Sequence, residues 1–346
     1  MAKHRRHHYI PVLLLRRFSS RQDGKKSWIW QASRDGSVRE VSTKDVAVET
    51  NFHGRADSGL ETDIREYESR FSVALAQVDQ GEVIEGREDT LRQLIWTLAI
   101  RTRAVRDQFQ QLTEDLFGAM VNSFESDEAH RAIIKGLEAT LPAIQEETYG
   151  TLSEYERTFL EPLDVQTKST VEEVEQMLSA GLIRQLFGEL RYQIEGSGGP
   201  KIAEEGQLKG LAKVLEFGGA PDSFRPTNWE VLEFQAQELV LGDGCVVATT
   251  ADGQPVSLLQ SNTLWENIYL PISPFRVLAA GRGKIPTLSA DAINQASVEL
   301  SVSQFFCSSA EAATPELLTR IGRRAVVLSR EDMAEMFADG WKEQDP

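Results

Sequence analysis

Apolar residues at Leu60, Ile64, Tyr67, Phe71, Ala74, Leu75 and Val78 recur with the 3.6-residue period of a helix, which predicts an amphipathic helix over 60–79 that breaks at Gly81. A longer stripe, Leu91, Leu94, Ile95, Leu98, Thr102, Val105, Phe109, Leu112, Leu116 and Met120, predicts one helix over 88–123 carrying the main packing seam. Acidic helical segments follow over 126–147 and 151–160. A third stripe, from Val174 through Leu182 to Leu190, predicts a helix over 170–193. The pattern shortens elsewhere. Trp28 to Ala32 and Val38 to Val41 flank Ser33-Arg34-Asp35-Gly36, where Asp-Gly between two β-rich runs predicts a hairpin. Gly196-Ser197-Gly198-Gly199-Pro200 reads as a linker, since adjacent glycines and a proline hold no helix. Beyond it, short β-like runs at 229–234, 238–241, 245–249, 268–270 and 276–280 are punctuated by Gly, Asp and Pro. A helix over 290–307, a strand over 325–328 and a last helix over 330–340 capped by Ser329 complete the reading. The expected architecture is one α+β unit, mainly helical, with a small antiparallel sheet formed from N-terminal and C-terminal strands. The alternative is a helical domain followed by an unrelated sheet domain. On this reading 1–26 is a basic N-terminal segment, 27–328 the α+β domain and 329–346 a helix and tail, with no internal repeat.

Charge changes the picture at one end. The net charge is −16, yet residues 1–26 hold Lys3, Arg5, Arg6, Arg16, Arg17, Arg21, Lys25 and Lys26 against Asp23 alone. An acidic body repels phosphate backbones and acidic membranes, so any nucleic-acid role falls on this segment; the competing reading is a solvated tail. Two cysteines, Cys245 and Cys307, exclude a disulfide scaffold and Cys-rich zinc sites, which points to a reducing, cytoplasmic setting. No apolar run approaches the ~18 residues of a membrane helix, and the start reads as neither a signal peptide nor an anchor.

His8-Tyr9-Ile10-Pro11 with Leu15 and Phe18 fits His-x-x-Pro-x-x-x-Leu-x-x-Phe, and on this motif the chain resembles domain-of-unknown-function family 4238. Other pieces agree in order. Glu61 and Glu68 resemble its paired helix glutamates, Arg101-Thr102 with Arg106 its Arg-Thr-x-x-x-Arg motif, and Asp243 its Asp after a short strand. Pro271-Ile272-Ser273-Pro274 is similar to its Pro-Leu-Ser-Pro turn, and Asn294 to the Asn opening its last conserved helix. The departure is Gly242-Asp243-Gly244-Cys245, where the family has Ser/Thr-Asp-Asn-Pro. The resemblance runs over roughly 4–307, on both sides of the glycine linker, which favours a single unit. It implies a common fold and a common site, and carries no agreed activity.

Those positions supply a polar set for chemistry. His8 is suited to act as general acid or base, Asp243 to orient the imidazole or accept a proton, and Arg101 to bind a carboxylate or phosphate. Arg5, Arg6, Arg17 and Arg106, with Glu61 and Glu68, are the candidate substrate-binding residues. Each has a structural reading beside it: His8 hydrogen-bonded into the fold, Arg101 paired with Glu68 or Glu61, and Asp243 closing a turn between glycines. Glu61 and Glu68, two turns apart, share a helix face. His4, His7 and His8 lack a second ligand cluster, so no metal is expected, nor any other cofactor. Gly281-Arg282-Gly283-Lys284 lacks Walker spacing and reads as a basic turn. Dinucleotide, hydrolase-elbow and zincin motifs are absent. The expected function is an enzyme acting on an anionic RNA- or nucleotide-linked substrate, RNA or tRNA docking through the basic N-terminal segment. Its reaction would be phosphodiester cleavage, as in a toxin or defence nuclease, or aminoacyl transfer from a charged tRNA to a cyclodipeptide-type product. The alternative from another class is a noncatalytic interaction or sensor module whose acidic surface binds a basic partner.

Overall fold

The structure, a computed structural model, describes residues 6–50, 52, 60–80, 86–108, 224–259 and 265–325, with scattered positions between 111 and 176. The chain divides into two compact units, Met1–Phe109 with Ala203–Pro346, and Gln110–Ile202. In the second, residues 171–174 are helical. All that follows lies in the first.

Its N-terminal half runs β1 (Arg6–His8), α1 (Val12–Arg17), β2 (Arg21–Asp23), β3 (Lys26–Ser33), β4 (Val38–Ser42), β5 (Val48–Thr50), α2 (Leu60–Asp79) and α3 (Glu88–Ile100). The C-terminal half runs β6 (Asn228–Glu233), β7 (Leu241–Gly242), β8 (Val247–Thr249), β9 (Pro255–Val256), β10 (Asn267–Ser273), β11 (Arg276–Gly281), α4 (Ala290–Glu299), β12 (Gln304–Cys307) and α5 (Pro315–Leu318). Among the described residues twelve strands form three antiparallel sheets: the ribbon β1–β5, the sheet β6-β11-β10-β8-β9, and the sheet β2-β3-β12-β7 with β4 also on β3. This corrects the expected fold class: the unit is not mainly helical with one small sheet. Short strands such as β1, β2, β5 and β9 hold two or three residues, too few for a period of two to show, so a helical count dominates the sequence pattern.

Local chemistry explains the elements. The β3–β4 hairpin turns at Gly36, whose φ of +84° suits a residue without Cβ, while Asp35 Oδ1 accepts from the Ser37 amide at 2.9 Å. Pro11 sits at the N-cap of α1 with φ −53°, pre-set for helix entry. Leu15 and Phe18 then project from one face into the core, each wholly buried. The helix expected over 88–123 is interrupted: α3 ends at Ile100, and Thr102 Oγ1 accepts from the Val105 amide at 3.3 Å, capping a second helical stretch over 103–108. The helix expected over 290–307 stops at Glu299 and returns as β12. The glycine linker and the elements expected over 126–160, 177–193 and beyond 325 lie, apart from a few positions, outside the described residues.

α1 packs against β3 and β10, α2 against α3, and α4 against β7 and β8. The main core joins Ile10, Leu14, Leu15 and Phe18 to Leu91, Ile95 and Leu98 of α3 and to Ile268, Leu270 and Leu278 of β10 and β11. Among the described glycines Gly242 marks the tightest approach, since a Cβ there would lie 2.4 Å from the Ser297 carbonyl oxygen. Ser297 Oγ accepts from the Gly242 amide at 2.9 Å, and Asn294 Oδ1 accepts from the Val240 amide at 2.9 Å, so α4 grips β7 through side-chain acceptors.

Candidate functional site

The His-Pro segment forms β1, pairs with β5, and enters α1 at Pro11. Strand alternation buries His7 and leaves His8 half-buried. His8 Nε2 lies 3.3 Å from the Thr43 carbonyl oxygen, an obligate acceptor, so Nε2 carries the proton and Nδ1 the lone pair. Burial, helped by the Arg101 charge and opposed by the Thr43 hydrogen bond and Glu68, holds the imidazole pKa below its ordinary value and so favours the neutral form.

Arg101, at the break between the two helical stretches, is 2% exposed. One guanidinium nitrogen donates to Glu68 Oε1 at 2.6 Å and another to the main-chain carbonyl of His8. Arg106 donates to Glu49 Oε2 at 2.7 Å, and Arg103 Nε lies 3.6 Å from Glu49 Oε1. The Arg-Thr-Arg-x-x-Arg stretch therefore fastens the β1–β5 ribbon and α2 to α3 through carboxylates on both.

Asp243, also 2% exposed, belongs to a different network. Its Oδ1 accepts from the Val302 amide at 2.7 Å, and Oδ2 accepts from the Ser303 amide and hydroxyl, both at 3.0 Å, and from the Gln304 amide at 3.1 Å. Burial pushes its pKa upward, against the pull of these donors. Gln304 extends the network by donating to the Tyr9 hydroxyl at 2.5 Å, one residue from His8. Burial and the Asp243 charge raise the Tyr9 pKa, so Tyr9 stays a neutral phenol.

Of the candidate residues, the fold brings His8, Arg101 and Glu68 together, and joins Asp243 to their neighbour Tyr9 through Gln304. Arg6 pairs with Asp45 at 2.9 Å on the surface. Arg17 forms a two-pronged pair with Asp79 at 2.7 and 2.6 Å and also donates to the Ile272 carbonyl. Arg5 and the Glu61 side chain lie outside the described residues. The sequence reading missed Glu238, which mirrors Asp243: its Oε1 accepts from the amide and hydroxyl of Ser308 and the amide of Ser309, and its Oε2 from the Ser309 hydroxyl. The available signal was Ser308-Ser309 directly after an apolar strand. Among the described residues no group of three or more His, Cys, Asp and Glu side chains is placed to hold a metal ion, and no helix is long and apolar enough to cross a membrane.

A three-sheet α+β fold with an arginine-fastened His-Pro segment thus defines the class. The family described as Protein of unknown function (DUF4238) matches residues 6–321, nearly the whole chain, and the chain belongs to that family. No curated protein and no solved structure matches it.

Proposed function

We propose that the protein is a noncatalytic binding module in which the His8–Arg101–Asp243 set is structural and the acidic surface meets a basic partner. The observation carrying this reading is that Arg101 and Asp243 are each 2% exposed and already engaged by groups of the same chain. Among the described residues Arg101 Nε itself meets no partner, but removing one member of a buried charge pair engaged in this way is strongly destabilising. The arginines offered for a polyanion support the same reading, because Arg6, Arg17 and Arg106 each face a carboxylate of their own chain. The test is His8→Ala, Arg101→Lys and Asp243→Asn assayed for melting temperature and for turnover of RNA and charged tRNA. A structural set predicts lowered melting in Arg101→Lys and Asp243→Asn and no wild-type turnover to lose. Turnover by the wild type that vanishes in a fully folded His8→Ala variant would refute it.

One observation favours the enzyme reading instead. His8 is half-buried and held toward neutrality with its lone pair on Nδ1, beside a Glu68 side chain that is 26% exposed. A base of this kind suits phosphodiester cleavage or aminoacyl transfer on an RNA-linked substrate. The same turnover assay decides between the two.

A further inference from the structure

One cleft among the described residues is not lined by His8. A cleft of about 540 Å³ opens between α4, the loop before β7 and the 309–317 segment leading into α5. That volume falls within the range of sites that engulf a ligand group, about 300–1,000 Å³. Its wall carries Glu238, Asp291, Glu311 and Glu316. Among the described residues one cation, Arg320, shares this wall; it pairs at 2.6 Å with Glu299, which Arg324 also meets at 3.2 Å, so the four carboxylates outnumber the positive charge in the cleft. Glu238 is immobilised by the serine donors described above, and Asp291 accepts from Gln295 at 2.6 Å. Glu311 and Glu316 stand exposed on the rim. Ala236, Ala312 and Leu317 add apolar lining to the same cleft. A lining of carboxylates and apolar side chains matches a group with a methylene stem and a cationic head.

We infer that this cleft receives lysine or arginine side chains from a basic segment of a partner protein. The inference rests on the binding-module reading above and names the site and the chemistry of the partner. Charge complementarity selects the occupant: an anionic segment is repelled by four carboxylates, and a purely apolar one leaves them desolvated without a counter-charge.

The probe is a fluorescein-labelled nona-arginine peptide, titrated with the full chain by fluorescence anisotropy at low and at physiological salt. Glu311→Gln with Glu316→Gln removes the rim charges at exposed positions. Asp63→Asn with Glu66→Gln makes the same charge change on the exposed face of α2. The expected result is salt-sensitive binding that weakens at least tenfold in the cleft pair and less than twofold in the α2 pair. Equal weakening in both pairs, or none in either, overturns the cleft while leaving the module reading standing, since binding would then come from the acidic surface at large. Absence of wild-type binding at low salt overturns the cleft as well, and the module reading is then judged separately by the turnover assay. If the peptide fails but the wild type self-associates and the cleft pair does not, the occupant is the basic N-terminus of a second copy, and the partner assignment is overturned.

Discussion

Arg101 reaches the main-chain carbonyl of His8, not its imidazole, while another of its nitrogens holds Glu68 at 2.6 Å. The guanidinium thus fixes where the β1 backbone lies and leaves the histidine ring to Thr43. Arg101→Lys keeps the charge but loses the planar fork that serves two acceptors at once. It is expected to cost about 3 kcal/mol, as a broken buried pair does, whereas His8→Ala costs about 1 kcal/mol for one part-buried hydrogen bond. Equilibrium urea unfolding of the two variants checks the order.

Asp243 holds three successive amides of the 302–304 segment. In Asp243→Asn one acceptor oxygen becomes an NH₂ that faces donors, so up to three N–H or O–H groups lose their partner. A loss of about 2–4 kcal/mol is expected. Hydrogen exchange at Val302, Ser303 and Gln304 should accelerate before that of the α3 amides.

Gly242→Ala would bring a methyl within 2.4 Å of both the Ser297 carbonyl oxygen and Ser301 Oγ. Overpacking of this kind costs about 1–3 kcal/mol. Adding Ser301→Ala should restore little, because the main-chain carbonyl remains in the way; thermal melts of the single and double variants provide the measurement.

His8 gives stability a pH dependence of known sign. Its folded-state pKa lies below the ordinary value of 6.5, so the unfolded chain binds the proton more readily. The contribution is fully present above pH 6.5 and is lost as the pH falls through the lower, folded value. His8→Gln should remove that slope, so the difference between wild-type and variant unfolding free energies should shrink as the pH is lowered from 7.5 toward 5.

The parts of this fold legible in the sequence are those with enough residues for a period or a turn composition to declare itself. α2 runs over 60–79 as its apolar spacing predicts, and the β3–β4 hairpin closes on Asp35-Gly36. The misreadings fall where distant residues decide. The helix expected over 290–307 ends at Glu299, and the 302–304 segment that follows is captured by Asp243, some sixty positions earlier. The break at Arg101 is similar, set by Glu68 and the His8 carbonyl, although Thr102 as a cap was a local clue. The pairing of Arg101 with Glu68 was one of two partners the sequence offered. The four donors around Asp243 were not visible, because three of them are main-chain amides.

β12 is clasped at both ends, by Asp243 before it and Glu238 after it, and lies between β3 and β7. It is thus the late-made inner strand of a sheet whose other members are translated first. While the chain emerges from the ribosome, residues 30–33 of β3 keep an unpaired edge until residues 304–307 arrive. Unpaired strand edges invite association with other chains. A polypeptide ended before Gln304 therefore leaves that edge bare, and it should aggregate where the full chain stays dispersed.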